Sequence, residues 1–362
     1  MTSAPLRARS IGSNPTLIWG MTSDERLRRI ATAQKMDFDG EGSGPALLVS
    51  ADYVFEPAWL KFMAQRPGEV LTMGGVKVIG HTAGTASGDG FPEGLREVRV
   101  EDNRVFYNET LRKREDPVIE RLDPGTVRSI ERKTYFGAYK GVTDLLTKYL
   151  WPEWALVLTR IAARLHMTPN MVTGIGAILC VIATWLFWQG DYWAGMAAGL
   201  VFMVFDTVDG KLARCTITSS GWGHVFDHGI DLVHPPFWWW AWGVGLGAWG
   251  LALTNATFAT VMIAIVGGYV VQRLIEGESI RRFAGMHIHV WEKLDSDFRL
   301  ITARRNPNMV ILFFATLLQR PDIGLIAVAV WTVLSCLFHA VRLVQAINRK
   351  ARGIEIKSWL AV

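Results

Sequence analysis

Apolar and polar positions divide the chain into two regions of different period. Between residues 15 and 100, short apolar runs alternate with polar, helix-like stretches, the pattern of a compact α/β unit. Thr16 to Trp19 predicts a strand that runs into Gly20, followed by a polar helix carrying Ser23, Glu25, Arg26, Arg28 and Arg29. Ala46 to Ser50 predicts a second strand ending at Ala51-Asp52, then a helix from about Ala58 to Gln65. Glu69 to Thr72 and Val76 to Ile79 read as further strands. His81 to Gly94 is a Gly/Ser/Thr loop, and the densely charged residues 95–133, broken by Pro117 and Pro124, lead toward the second region.

From Phe136 the period becomes helical. Phe136, Tyr139, Val142, Leu145, Leu146 and Tyr149 form one face, opposed by Lys140, Asp144 and Lys148, and a stretch after Pro152 places Arg160 and Arg164 four apart. Such helices suit the bilayer interface, with the apolar face in lipid and the bases toward headgroups. Six apolar spans follow, at 171–189, 191–211, 222–248, 256–275, 308–319 and 321–344. A crossing takes about 20 residues, so the short fifth span is expected to tilt or to pair with the sixth as a hairpin. The predicted architecture is a soluble α/β domain, 1–135, followed by an α-helical integral membrane domain of six transmembrane helices, 136–362.

Composition agrees with this division. A chain of 362 residues that is 50% hydrophobic and 20% charged, with mean hydropathy +0.20, is neither a small secreted module, a fibre nor a disordered tail. Cys180, Cys215 and Cys336 fit no disulfide framework and no metal-binding spacing. The net charge of +5 is read as the excess of bases on the cytoplasmic side of a membrane protein, so no nucleic-acid partner is expected. Lys211 and Arg214, then Arg273, Arg281, Arg282, Lys293, Arg299, Arg304 and Arg305, and finally the C-terminal tail, cluster in alternate loops, with Arg320 the exception. This predicts an inner or plasma membrane protein with both termini and the 206–221 and 276–307 loops in the cytoplasm. Met1 to Pro15 has no apolar stretch of the secretory kind. The sequon Asn108-Glu109-Thr110 is then a coincidence in a cytosolic segment.

Candidate chemistry concentrates in Asp206-Thr-Val-Asp-Gly-Lys-Leu-Ala-Arg214, continued by Gly223, Asp227 and Asp231. Asp206 and Asp209 lie i,i+3 at the end of one span, and Asp227 and Asp231 lie i,i+4 at the start of the next. A helix–loop–helix therefore gathers four carboxylates at the membrane boundary, an arrangement that calls for cations. Oxygen-only ligands point to Mg2+ or Mn2+ rather than zinc. Two such ions can hold a diphosphate and neutralise charge as a phosphoryl bond breaks. Gly210 and Gly223 allow close backbone approach, Ala213 keeps the same face open, and Arg214 offers a planar fork to phosphate oxygens.

These residues spell D-x2-D-G-x2-A-R-x8-G-x3-D-x3-D, which resembles the signature of the CDP-alcohol phosphatidyltransferase family at every fixed position. Thr168-Pro169-Asn170-Met171-Val172-Thr173 is similar to the family's T-P-N-x-x-T at the start of its first membrane helix. The resemblance covers about residues 136–345. It implies six transmembrane helices, a homodimer, an active site at the cytoplasmic face, and transfer of a phosphoalcohol from a CDP-linked donor to a hydroxyl with release of CMP. It also implies that Asp206, Asp209, Asp227 and Asp231 are the metal residues, with Asp231 also the base for the acceptor hydroxyl. Gly210, Ala213, Arg214 and Gly223 would line the CDP site.

Two subfamily resemblances compete. Phe226-Asp227-His228-Gly229-Ile230-Asp231 resembles the choline and ethanolamine phosphotransferases, which join a CDP-headgroup to a lipid alcohol. Six spans and the Thr-Pro-Asn start resemble the phosphatidyl- and inositol-phosphate-transferring enzymes, whose acceptors include phosphorylated polyols. Arg281, Arg282, Arg304 and Arg305 form a candidate site for an acceptor phosphate; the same bases also suit anionic lipid. His228 is a second candidate for proton transfer. Trp238-Trp239-Trp240 and Trp242 read as lipid-facing packing or an interface anchor, and His234 as a satisfied buried histidine. The first domain resembles a nucleotidyltransferase in degenerate form: Leu17-Ile-Trp-Gly20 with Arg26 stands where a glycine-rich phosphate loop would lie, and Leu48 to Asp52 where a strand would end in a metal-binding aspartate. A structural or regulatory role is expected for it. An intramembrane ion transporter is the rival from another class.

Overall fold

The computed structural model describes residues 5–38, 44–84, 90–103, 106–108 and 111–361. Glu109 and Thr110 of the sequon, and residues 85–89 of the expected Gly/Ser/Thr loop, lie outside them.

The first region is a mixed sheet with helices against it. In chain order its elements are β1 (Arg7–Ile11), α1 (Ser23–Ala33), β2 (Asp37–Phe38), β3 (Ala46–Ser50), β4 (Tyr53–Phe55), α2 (Pro57–Ala64), β5 (Glu69–Met73), β6 (Val76–His81), β7 (Arg96–Arg99), β8 (Phe106–Asn108), β9 (Lys113–Glu115) and β10 (Ile119–Arg121). Six strands form one sheet in the order β2-β1-β3-β6-β5-β7. Central β3 buries Ala46 to Val49, which explains its unbroken apolar run. Gly74 and Gly75, at φ +56° and +80°, close the β5–β6 hairpin with Met73 opposite Val76, a two-residue turn that needs positive φ at both positions. Leu27, Ile30, Trp59, Leu60 and Met63 of the two helices pack on Leu47, Leu71 and Ile79 of the sheet. Thr22 caps α1 by accepting from the Glu25 amide at 3.2 Å.

Thr16 to Trp19 is not a strand. Ile18 and Met21 form one isolated bridge around Trp19 and Gly20, both left-handed at φ +52° and +75°. Ile18 and Trp19 are buried in the helical domain, and Trp19 Nε1 donates to Thr134 Oγ1 at 2.9 Å. An apolar run reads alike whether a sheet or another domain covers it. The charged 95–133 segment, expected as a connector, holds β7 to β10 and the start of α3.

The second region begins with α3 (Val127–Gly137), α4 (Leu145–Tyr149) and α5 (Pro152–Arg164). The helix expected from Phe136 to Tyr149 is interrupted after Gly137. Gly141 packs against the Arg112 carbonyl so closely that a Cβ would sit 2.5 Å from its oxygen. Asp144 restarts the helix by accepting from the Thr147 amide at 3.0 Å. On α5, Trp154, Val157 and Ile161, and Leu165 just beyond it, form one exposed apolar face, as a lipid-facing helix requires. Arg160, however, ties α5 to α3 through Glu131 at 2.8 Å rather than facing outward.

Next come α6 (Pro169–Gln189), α7 (Tyr192–Cys215), α8 (Gly221–Gly245), α9 (Asn255–Met262), α10 (Gly268–Arg282), α11 (Lys293–Arg299), α12 (Arg305–Leu317) and α13 (Pro321–Ala351). A π-turn over Ile263–Gly267 joins α9 to α10. Five of the expected spans each fall mainly on one of these helices, and 256–275 runs through α9, the π-turn and α10. Among the described residues, three helical stretches are long and apolar enough to cross a membrane: Pro169–Gln189, Asn255–Arg282 and Pro321–Ala351. The chain is thus an integral membrane protein with an α/β region before its helices. Helices α7 and α8 have the length, 24 and 25 residues, but carry the aspartate segment. Helix α12, with 13 residues, packs against α13.

The tryptophan tract points inward. Trp238, Trp239 and Trp242 are buried and only Trp240 is exposed, because these rings fill the space between α8 and residues such as Phe187 and Tyr192. Pro236 lacks the amide that would bond the Leu232 carbonyl, and Tyr269 Oη donates to that oxygen at 2.9 Å instead.

The two regions are docked. Arg26 Nη1 and Arg29 Nη1 of α1 donate to the Cys215 and Thr216 carbonyls at 2.8 and 2.9 Å, satisfying the exposed C-terminal end of α7. Ile217, left-handed at φ +54°, packs against the α/β core. The segment read as a degenerate phosphate loop therefore serves as a docking surface, and Asp52 stands exposed.

Candidate active site

Helices α7 and α8, joined by a short loop, bring the aspartates together. One carboxylate oxygen each from Asp206, Asp227 and Asp231 lies within 4.8 Å of the others. Asp209 is turned aside: it accepts from Thr173 Oγ1 of α6 at 2.6 Å and from the Gly210 amide at 2.5 Å. The Thr-Pro-Asn segment thus supports the aspartates directly. Its Asn170 also explains Gly223, where a Cβ would lie 2.8 Å from Asn170 Oδ1. Gly210 accommodates the guanidinium of Arg214, which would be 3.2 Å from a Cβ.

Arg305, first residue of α12, completes the cluster. Its Nη2 donates to Asp206 and its Nη1 to Asp231, both at 2.7 Å. A guanidinium cannot release its proton, so it offsets part of the charge of the converging carboxylates permanently. Three converging carboxylate oxygens suit a hard divalent ion, and among the described residues no nitrogen or sulfur ligand joins them. His228 stacks on His224, with centroids 5.8 Å apart. His234 Nδ1 pairs with the Ile230 carbonyl at 2.7 Å, while its Nε2 is buried without a partner.

Two cavities flank the aspartates. The smaller, about 230 Å³, is lined by all four residues expected to hold CDP, namely Gly210, Ala213, Arg214 and Gly223, together with Asp209 and Asp227. The larger, about 320 Å³, is lined by Asp206, Asp231, Arg304 and Arg305. Arg214 lines both.

Residues 166–295 match the family model described as CDP-alcohol phosphatidyltransferase. Residues 166–295 thus form a segment similar to the CDP-alcohol phosphatidyltransferases. The chain is similar to cholinephosphotransferase 1 of Gallus gallus, at 32% identity over 127 residues, 32% of this chain and 36% of that one. It is 38% identical to phosphatidylinositol phosphate synthase of Cutibacterium acnes over 82 residues, 22% of this chain and 40% of the relative. Archaetidylinositol phosphate synthase of Pyrococcus horikoshii is 28% identical over 194 residues, 53% of this chain and 89% of that protein. The chain therefore spans well under half the length of the first two relatives. A solved structure of Mycobacterium tuberculosis phosphatidylinositol phosphate synthase with CDP-DAG bound overlaps with a TM-score of 0.39 at 18% identity, covering 52% of this chain and 92% of that one.

The segment that matches the family model holds all four aspartates, whereas the expected acceptor arginines separate. Arg281 and Arg282 pair with Glu278 on the exposed end of α10 and line neither cavity. Arg304 pairs with Glu276 and approaches His289 Nε2 at 3.2 Å. Other cavity residues escape a reading of the sequence: Arg112 and Lys140 lie before the family segment, and Asp144 and Asn306 bond each other at 2.9 Å across the cavity wall. Burial opposes the Asp144 charge, but nearby Arg299 and hydrogen bonds from Asn306 and Thr147 outweigh it and hold the group below the usual carboxylate range. Lys211, Arg273 and Arg299 carried a sequence signal, as members of the basic clusters.

Proposed function

We propose that this chain transfers a substituted phosphate from a CDP-linked donor to a hydroxyl acceptor at the cytoplasmic face of a membrane, releasing CMP in phospholipid synthesis. The observation that carries this reading is the convergence of Asp206, Asp227 and Asp231 beneath the Arg305 fork, inside the D-x2-D-G-x2-A-R-x8-G-x3-D-x3-D segment. Six helices form the membrane domain, with both termini and the aspartates on the cytoplasmic side, as the distribution of Lys and Arg favours. Mg2+ or Mn2+ bound by the aspartates would supply charge neutralisation for the donor diphosphate.

The chain's own groups do the rest. Gly210, Ala213, Arg214 and Gly223 receive the CDP portion in the smaller cavity, with the Arg214 fork toward phosphate oxygens. The acceptor hydroxyl sits in the larger cavity, where Asp231 accepts its proton. The acceptor oxygen bonds the donor phosphorus as the bond to the CMP oxygen breaks. Arg305 orients Asp231 and Asp206 through two hydrogen bonds.

A second reading, a CDP-headgroup donor with a lipid alcohol, is favoured by the similarity to cholinephosphotransferase 1. CMP release by the full chain in lipid nanodiscs, supplied with CDP-diacylglycerol or a CDP-headgroup and a panel of acceptors, separates the two. No CMP with any donor and divalent metal overturns the transferase reading.

A further inference from the structure

Helix α8 consists of two halves with different support. Its buried residues all lie from His234 onward, where Trp238 and Trp242 anchor the helix against Phe187 and Tyr192. Residues 221–233, all among the described residues, carry Asp227 and Asp231 and include no buried residue. The halves meet at Pro235-Pro236. A proline has no amide, so this pair removes the helix hydrogen bonds that the Asp231 and Leu232 carbonyls would accept. The bonding of α8 is thus cut beside the carboxylate read as the base.

Lateral contacts then hold the first half. Asn170 of α6 stands against Gly223, Arg305 of α12 donates to Asp231 at 2.7 Å, and Tyr269 of α10 donates from Oη to the Leu232 carbonyl at 2.9 Å. Of these, Tyr269 replaces the very bond that Pro236 removes. The build of α10 serves this contact. A π-turn over Ile263–Gly267 inserts a residue ahead of it, which turns the helix face that follows by about 100°. Gly268 lies flush against α13, where a Cβ would sit 2.7 Å from Thr332 Cγ2. Tyr269 comes next, and the Arg273 guanidinium lies 5.1 Å from its ring centroid, so the ring is braced on its own helix before its hydroxyl reaches α8. Tyr269 also borders the larger cavity beside Asp231 and Leu232. Its hydroxyl proton is committed to the Leu232 carbonyl and is not available to a ligand there.

We infer that Tyr269 is a positioning residue for Asp231: its hydroxyl stands in for the amide that Pro236 lacks and holds the aspartate-bearing half of α8 in register with Asp206. The inference rests on the transferase reading for the role of Asp231 as base, but not for the hold on α8. The far end of this half stays tied through Asn170 and through Ser220, which accepts from the Gly223 amide at 3.0 Å. Loss of the tyrosine bond is therefore felt at the break, where Asp231 sits one residue from Leu232. There an unsatisfied carbonyl beside two prolines frees the chain to bend and takes the Asp231 carboxylate off its line to the acceptor hydroxyl. Trp238 and Trp242, beyond the prolines, stay where they are packed.

The test removes the hydroxyl and then gives the amide back. In nanodiscs, with the CDP donor and acceptor that release CMP fastest from the wild type, Tyr269→Phe is expected to lower kcat about 3- to 10-fold while both KM values stay within about twofold. Pro236→Ala returns a backbone donor to the Leu232 carbonyl, so Tyr269→Phe added to Pro236→Ala is expected to cost less than about twofold in kcat. A loss just as large in the Pro236→Ala background overturns the inference, because the hydroxyl then acts on something other than that carbonyl. A rise in acceptor KM in place of the fall in kcat overturns it too, as does an unchanged kcat. Amide hydrogen exchange of the full chain reads the same bond without turnover. Exchange over residues 228–234 is expected to quicken about 5-fold or more in Tyr269→Phe, with residues 238–245 unchanged. That outcome supports the hold on α8 even if no donor releases CMP, in which case the transferase reading is what has failed. Equal exchange over 228–234 in the two proteins removes the inference, whether or not Pro236→Ala folds.

Discussion

The two cavities beside the aspartates are built differently. The smaller is lined by residues 169–227 alone, from three consecutive segments, and mixes Asp209 and Asp227 with Arg214 and several hydroxyls. The larger draws on segments from Arg112 to Pro307 and has a surplus of bases. A local site holds its geometry through helix spacing, so a single change within it acts on the chemistry directly. A site assembled from distant segments depends on how domains dock, so changes there tune which ligand binds.

The sharpest way to break this contrast is at Asp231, which borders the larger cavity but belongs to the local segment. Asp231→Asn keeps the shape and loses the proton acceptor, so turnover is expected to fall about 10²–10⁴-fold with little change in donor KM. Near-normal CMP release would pass the role to His228. Asp206→Asn and Asp209→Asn are expected to weaken activity in a way that added Mg2+ or Mn2+ partly restores, read as a shift in the metal concentration giving half activity.

Arg305 comes next. Arg305→Gln leaves two facing carboxylates without their shared cation and is expected to destabilise the fold by about 2–4 kcal/mol, below the full buried-pair value because the Asp231 side chain is 39% exposed. Thermal unfolding in detergent should show the loss, and divalent metal should recover part of it. Unchanged unfolding with and without metal would mean that the aspartates are not held under charge strain.

Docking of the two regions gives a smaller effect. Arg26→Ala removes a buried donor from the Cys215 carbonyl and should lower stability by about 1–3 kcal/mol. Because α1 holds the end of the aspartate helix, the loss should raise the donor KM more than a surface change such as Arg28→Ala, made at an exposed residue on the same helix. Identical kinetics for the two variants would show that the α/β region does not steady the local site.

The smallest effect expected is on pH dependence. Lys140, brought down to about 8 chiefly by burial, loses its proton as pH rises through that value. Acceptor KM should therefore rise between about pH 7 and 9, while donor KM stays flat, and Lys140→Arg should flatten the acceptor profile.

What the sequence determined by itself follows from short spacings. Helical period places Asp206 with Asp209 and Asp227 with Asp231 whatever surrounds them, and the apolar runs locate α6 to α10, α12 and α13. The unbroken run in β3 was legible for the same reason: it is decided within a few residues. Tertiary structure decided the rest. Trp19, itself left-handed, forms a turn with Gly20 rather than part of a strand because the helical domain covers it, and Trp238 and Trp242 face inward because Phe187 and Tyr192 lie opposite. Only folding turned Asp209 toward Thr173, set Arg305 across Asp206 and Asp231, and brought Arg112 to His287, 175 residues away in the chain. Electrostatic pairing depends on distance through space, and no periodicity in sequence encodes it.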